Sequence, residues 1–155
     1  METKNERVRR QVNEYLQGHN VATLATCSDG KVWAAAVFYV WDGATLYFLS
    51  APASRHAADL ARNPQVALTV QEDYADWPEI KGVQLEGVAS ELSGAEEARA
   101  RRLYGEKFPA VGIVGKVPAT LVKALAKVRW YQVVPQHLYF IDNSKGFGHR
   151  DEVLL

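Results

Sequence analysis

The chain is poor in the residues that staple small proteins together. Its 155 residues contain one cysteine, Cys27, which excludes an internal disulfide and any multi-cysteine zinc site. The four histidines, His19, His56, His137 and His149, have no metal-ligand spacing of the His-x-x-x-His kind, so no metal is expected. No apolar run approaches the roughly 20 residues that a membrane helix needs. Residues 1–10 are charged and lack the apolar centre of a secretory leader, so the reading is a soluble, cytoplasmic protein without a membrane partner. Charge of either sign is also missing in excess, with 18 Lys and Arg against 18 Asp and Glu. A duplex-binding surface needs surplus cations to displace counterions, so nucleic acid is not an expected partner. With no repeat, low-complexity tract or linker, residues 1–155 read as one domain.

What is present is an ordinary globular balance, 48% hydrophobic and 23% charged, with four Trp and seven Tyr. Those aromatics suit a stacking ligand, barrel packing or a dimer interface. A helix should open the chain: Thr3 and Glu6 form a capping box, Val8, Val12, Tyr15 and Leu16 recur at helical spacing, and Gly18 can close it. The period then changes to that of strands at 21–27, 31–40 and 45–50, turned at Ser28-Asp29-Gly30 and Asp42-Gly43. Ser54 can cap a short helix to Arg62, ended by Asn63-Pro64. Strands are expected at 66–70 and 83–92, separated by a polar loop carrying Trp77-Pro78. A second capping box, Ser93 with Glu96, should open a helix to about Phe108, followed by a loop at 110–117 and a short helix from Pro118 to Lys127. Two last strands, 129–134 and 138–142, should be broken by Pro135, leaving a glycine-containing tail at 143–155. Strands in this number, without strict helix alternation, describe a mainly β, α+β fold: a closed or split antiparallel barrel with helices outside it.

The segment 46–70, LYFLSAPASRHAADLARNPQVALTV, carries the most chemistry. A strand delivers the chain to Ser54, Arg55 and His56 at the first turn of a helix, where free N–H groups and a partial positive charge already favour an anion. Arg can grip two phosphate oxygens, and Ser can donate as well as cap. An ordinary N-cap followed by two solvated side chains has the same spacing and is the commoner arrangement.

Tyr47-Phe48, then Ser54-Arg55-His56, Leu60, Asn63-Pro64 and an apolar strand, together resemble the phosphate-binding segment of the pyridoxamine-phosphate-oxidase-like, FMN-binding split-barrel family. Gln84-Leu85-Glu86-Gly87 is similar to that family's later strand ending in Glu-Gly, and the resemblance runs from about Asn20 to the carboxyl terminus. The ending Asp142-Asn143-Ser144-Lys145-Gly146-Phe147-Gly148-His149-Arg150 resembles that of a small subgroup. In the family a Ser-Arg-Lys triplet binds the flavin phosphate; Ser54 and Arg55 match it, and His56 stands where Lys is usual. The resemblance implies a homodimer with two FMN molecules at the interface. It implies a ring lying along the second strand at Ala35, Ala36, Val37 and Tyr39, with Gln84 of the later strand in the cofactor site; from the tail, His149 and Arg150 offer donors to a polar ring edge or an anionic substrate.

Two departures narrow the activity. In place of the Trp-Arg and Arg-Leu motif of authentic pyridoxamine phosphate oxidases, this chain has Trp130-Tyr131 and Pro135-Gln136-His137-Leu138. The second strand also lacks their phosphate-binding Arg. The expectation is therefore a flavin-dependent oxidoreductase acting on some other small molecule. A non-catalytic flavin module and a haem-binding protein with His149 as ligand are the alternatives. The tail from Asn143 to Arg150 is expected to be ordered near the cofactor, and His56 to have a raised pKa beside the phosphate.

Overall fold

A computed structural model of the chain describes residues 1–109 and 118–155. The loop expected at 110–117, with Gly112 and Gly115, lies outside the described residues. Helix α1, Lys4–Gln17, starts at the expected capping box: the Thr3 hydroxyl accepts from the Glu6 amide at 3.1 Å, and the Thr3 amide donates to Glu6 Oε2 at 2.7 Å. Val8, Val12 and Leu16, four residues apart, form its fully buried stripe.

Seven strands follow: β1 (Val21–Ser28), β2 (Lys31–Trp41), β3 (Leu46–Ser50), β4 (Gln65–Gln71), β5 (Lys81–Glu91), β6 (Arg129–Asp142) and β7 (Arg150–Glu152). They pair antiparallel in the order β3-β2-β1-β4-β5-β6-β7, and an added β3–β6 pairing closes the first six into a barrel. Helices α2 (Arg55–Arg62), α3 (Gly94–Lys107) and α4 (Ala119–Lys127) and two short 3-10 turns, Trp77–Glu79 and Asn143–Lys145, join them, so the fold is the expected mainly β barrel with flanking helices. No helix among the described residues is long and apolar enough to cross a membrane.

The barrel is split on one side. β2 pairs with β1 from Lys31 to Phe38, but with β3 only over Tyr39–Trp41, where it meets Leu46–Phe48. Leu49 and Ser50 continue with β6 alone. Among the described residues, β2 therefore has no strand along its other edge from Lys31 to Phe38.

α1 and α2 lie at opposite ends of β5. Tyr15 on α1 donates its hydroxyl to the Lys81 carbonyl at 3.1 Å, while Ala57 and Leu60 on α2 join the core that includes Val66 and Ala89. A second cluster, Val40, Tyr47, Leu92, Ala100, Tyr104 and Trp130, fixes α3 outside the barrel. Lys107 at the end of α3 donates to the carbonyls of His19 and of Tyr39, the latter at 3.1 Å, and burial lowers its pKa to about 8.

Two local expectations are corrected. Pro135 does not break a strand: β6 runs continuously through it because a bulge sets Gly87 opposite Pro135 and Glu86 opposite His137, leaving Gln136 as the extra residue. Ser93 occupies the N-cap position of α3 but makes no side-chain capping bond, because Gly94 follows at φ +61° and carries the amides out of reach.

Candidate functional site

α2 begins where the barrel splits. Ser54 has extended backbone angles and its hydroxyl accepts from the Ala57 amide at 3.3 Å, which makes it the expected N-cap. No acidic side chain occupies the first turn of α2. The Arg55 guanidinium lies over the Trp33 ring, 4.3 Å from its centroid, and its Nε is 3.8 Å from Asp59 Oδ2. Asp59 is itself held by the Thr26 hydroxyl at 2.9 Å, which fixes α2 against β1. Lys31, Arg55 and Arg62, with Ser28, Asp29 and Asp59, line a cleft of about 320 Å³ between α2 and the β1–β2 turn. Cations outnumber anions there by three to two.

His56 turns inward. Its Nε2 is 2.5 Å from Ser50 Oγ and 3.4 Å from Ser54 Oγ, the two hydroxyls are 3.1 Å apart, and its ring tilts against Phe48 at 6.4 Å. Burial lowers the imidazole pKa, partly opposed by the charge of Asp59. The side chain faces two neutral hydroxyls rather than open solvent, and the raised value expected for His56 belongs to an imidazole beside a phosphate.

The second-strand residues divide between two faces, as strand alternation requires. Val37 and Tyr39 belong to the core, with the Tyr39 hydroxyl donating to the Leu16 carbonyl at 2.7 Å, and Ala35 lies on their side. Of the four residues expected to line a ring, Ala36 alone has an exposed outward side chain; the others can offer only backbone. The backbone is well placed for that, since among the described residues no strand pairs with the outer β2 edge along Ala34–Val37, where alternate N–H and C=O groups point away from β1.

Gln84 projects from the same outer face as Ala36. Ala36, Thr23, Thr69, Gln84 and Tyr139 form one row in register across β2, β1, β4, β5 and β6. Three strand spacings separate Ala36 from Gln84, roughly 14 Å. Arg150 lies over the Tyr139 ring at 4.4 Å, extending that row onto β7.

The tail is ordered, but within one chain it is far from Ser54. Ser50 pairs with Arg129 at one end of β6, and β7 pairs with Tyr139–Ile141 at the other, a strand length of roughly 30 Å away. His149 Nε2 donates to Asp151 Oδ2 at 2.9 Å, so it too is engaged locally. The structure thus brings Ser54, Arg55 and His56 to the split edge of β2 and sets Gln84, His149 and Arg150 apart from them. Sequence reasoning missed Trp33 and Ser50. Ser50 lies four residues before a recognised cap, and that spacing was its one signal.

Comparison with known proteins agrees with the fold and widens the chemistry. A pyridoxamine 5'-phosphate oxidase sequence profile matches residues 8–142. A UPF0306 protein of Klebsiella pneumoniae is 32% identical over 141 residues, covering 90% of this chain and 88% of that one. Among solved structures, an FAD-binding protein of Mesorhizobium loti superposes with a TM-score of 0.63 at 20% identity, over 83% of this chain and 90% of that one. HutZ, the haem storage protein of Vibrio cholerae, superposes with a TM-score of 0.68 at 22% identity, over 91% and 96%.

Proposed function

The chain belongs to the pyridoxamine 5'-phosphate oxidase family, and to its UPF0306 group, and from that premise we propose that it binds FMN as a flavin-dependent oxidoreductase. The observation that carries this reading is the coincidence of Ser54 and Arg55, at the capped start of α2, with the unpaired edge of β2. The donor set suits a phosphate monoester: one guanidinium, the Ser54 hydroxyl backed by that of Ser50, and the free amides of a first turn without carboxylates. Backbone groups of Ala34–Val37 suit the polar edge of a planar ring, and the small side chains there let it approach. A bound flavin supplies the electron-transfer chemistry; the chain anchors the phosphate, orients the ring and shapes the pocket. The missing arginine-rich ending argues against a vitamin B6 phosphate as substrate.

Haem is the second reading, supported by the fold shared with a haem storage protein and by His149, whose Nε2 contact with Asp151 leaves Nδ1 for a ligand. Purified protein separates the two. A yellow sample that bleaches with reductant and releases a species of FMN mass on denaturation supports the first reading, and a Soret band replaces it with the second. Turnover of a reduced nicotinamide then distinguishes an enzyme from a non-catalytic flavin carrier.

A further inference from the structure

The geometry points to His56 as a positioning residue that governs the phosphate site through two serine hydroxyls without itself touching the anion; this rests on the flavin reading of Ser54 and Arg55. Three contacts in series carry it. His56 Nε2 lies 2.5 Å from Ser50 Oγ, Ser50 Oγ lies 3.1 Å from Ser54 Oγ, and Ser54 Oγ accepts from the Ala57 amide at 3.3 Å. Ser50 is buried, so its hydroxyl has little access to water as an alternative partner.

Each hydroxyl owns one hydrogen, and this count fixes the direction of the whole series. When Nε2 is bare, Ser50 donates to it, and Ser54 then donates to Ser50. Ser54 now meets a ligand without a hydrogen to give. When Nε2 carries a hydrogen, it donates to Ser50, Ser50 donates to Ser54, and the Ser54 hydrogen is released toward the ligand. The imidazolium carries hydrogen on both nitrogens, so protonating His56 always selects the arrangement that favours an anion. One proton enters from solvent and forms the N–H bond at Nε2, while the two hydroxyl hydrogens only reorient and no heavy-atom bond changes.

The surroundings keep this equilibrium movable. Burial disfavours the imidazolium in the ligand-free chain, while a bound phosphate dianion favours it. Asp59 on α2 is the charge that acts on the ring, with Arg55 beside it; on the neighbouring strand Arg129 stands opposite Ser50 and pairs with Glu91 at 3.2 Å. Tyr131, stacked on Phe48 at 5.2 Å, adds a phenol whose pKa burial raises. Binding of a phosphate ester should therefore take up a proton at His56. A lysine in the same place would hold its charge at every pH near neutrality.

The test is titration of the full chain with FMN, and with riboflavin in parallel, from pH 6.5 to 8.5. The phosphate of FMN is already mainly dianionic across that range, given a second pKa of about 6. FMN affinity should fall severalfold as pH rises through this range, because the complex holds the His56 proton more tightly than the free chain does, and riboflavin affinity should stay level. Ser50→Ala keeps His56 but cuts the series, and should flatten the profile; His56→Gln, an amide donor that does not titrate, should flatten it too. Nitrogen-detected spectra of wild-type protein should find hydrogen on Nε2 of His56 in the FMN complex, a readout that survives if a variant fails to fold. A Ser50→Ala profile as steep as wild type, or a bare Nε2 in the complex, overturns the relay. Tight FMN binding with a level wild-type profile sinks the relay and leaves the flavin reading standing. No FMN binding at any pH sinks both.

Discussion

Arg55 is held where a ligand can replace its present partners. Its guanidinium is about half exposed, rests on Trp33 and makes only a long contact to Asp59. Against a phosphate it would form a charge-assisted pair worth about 1.5–3 kcal/mol. Arg55→Ala should thus weaken FMN binding roughly ten- to a hundredfold while riboflavin binds as before. Fold stability should change little, because this side chain buries no apolar core. Equal FMN affinity in variant and wild type, read by fluorescence titration, would remove the anion site. Ser54→Ala should behave differently, losing about 1 kcal/mol of stability in urea unfolding together with affinity, since the same hydroxyl caps α2. At this scale the sequence reveals residue types better than directions. Ser54 was legible because a cap has a local signature. The inward turn of His56 was not, because it depends on Ser50 arriving from a strand whose path is set by pairing with β6.

β6 and the tail show what an element hides from a one-dimensional reading. Pro135 reads as a strand break, yet the bulge accommodates it, and Gly87 makes the bulge possible: a Cβ there would sit 2.3 Å from the Val134 carbonyl oxygen. Gly87→Ala should cost about 1–3 kcal/mol in chemical denaturation, the usual range for forced overpacking; a stability equal to wild type would mean that the bulge yields freely. The tail reads as a cofactor cover, but its ordering has a structural cause. Asp151 is buried, with Lys4 at 2.9 Å and His149 at 2.9 Å, and these partners hold its pKa at about 2. Val153 is buried beside it, its amide bonded to the Leu138 carbonyl at 2.8 Å. A carboxylate with a depressed folded pKa contributes stability that is fully present above its unfolded value near 4 and is lost as pH falls through about 2. Asp151→Asn should therefore lower the stability at pH 7 by about 1.5–3 kcal/mol, and its gap to wild type should narrow from pH 4 to pH 2. A gap constant over that range would assign the loss to packing instead. Residues 4 and 151 are distant in sequence, so no local pattern announces their contact.

Among the described residues, one broad face of the sheet is left uncovered. Ala34, Ala36 and Phe38 from β2, Val21 and Ala25 from β1 and Ala67 from β4 point outward and are exposed, on a sheet whose other face is the packed core. Phe38 is 56% exposed, and elsewhere on the surface the tilted rings of Trp77 and Phe147 meet at 5.0 Å while 65% and 83% exposed. Apolar surface of this kind on a closed barrel is suited to a second copy, and two-fold pairing through the small-residue face would place like against like. It would also resolve the separation within one chain, because the tail of a partner could reach the split edge of β2 that its own tail cannot. Ala67 on β4, outside the residues assigned to the flavin, tests this. Its side chain is exposed on the outer face, so Ala67→Arg should leave the monomer folded while placing two cations at the symmetric interface. Sedimentation should then register a dimer for wild type and a folded monomer for the variant, with FMN affinity falling in parallel even though Ser54 and Arg55 are untouched. If the variant is monomeric yet binds FMN as tightly as wild type, the site is complete within one chain. A wild type that stays monomeric at micromolar concentration would leave this face without the partner argued for it.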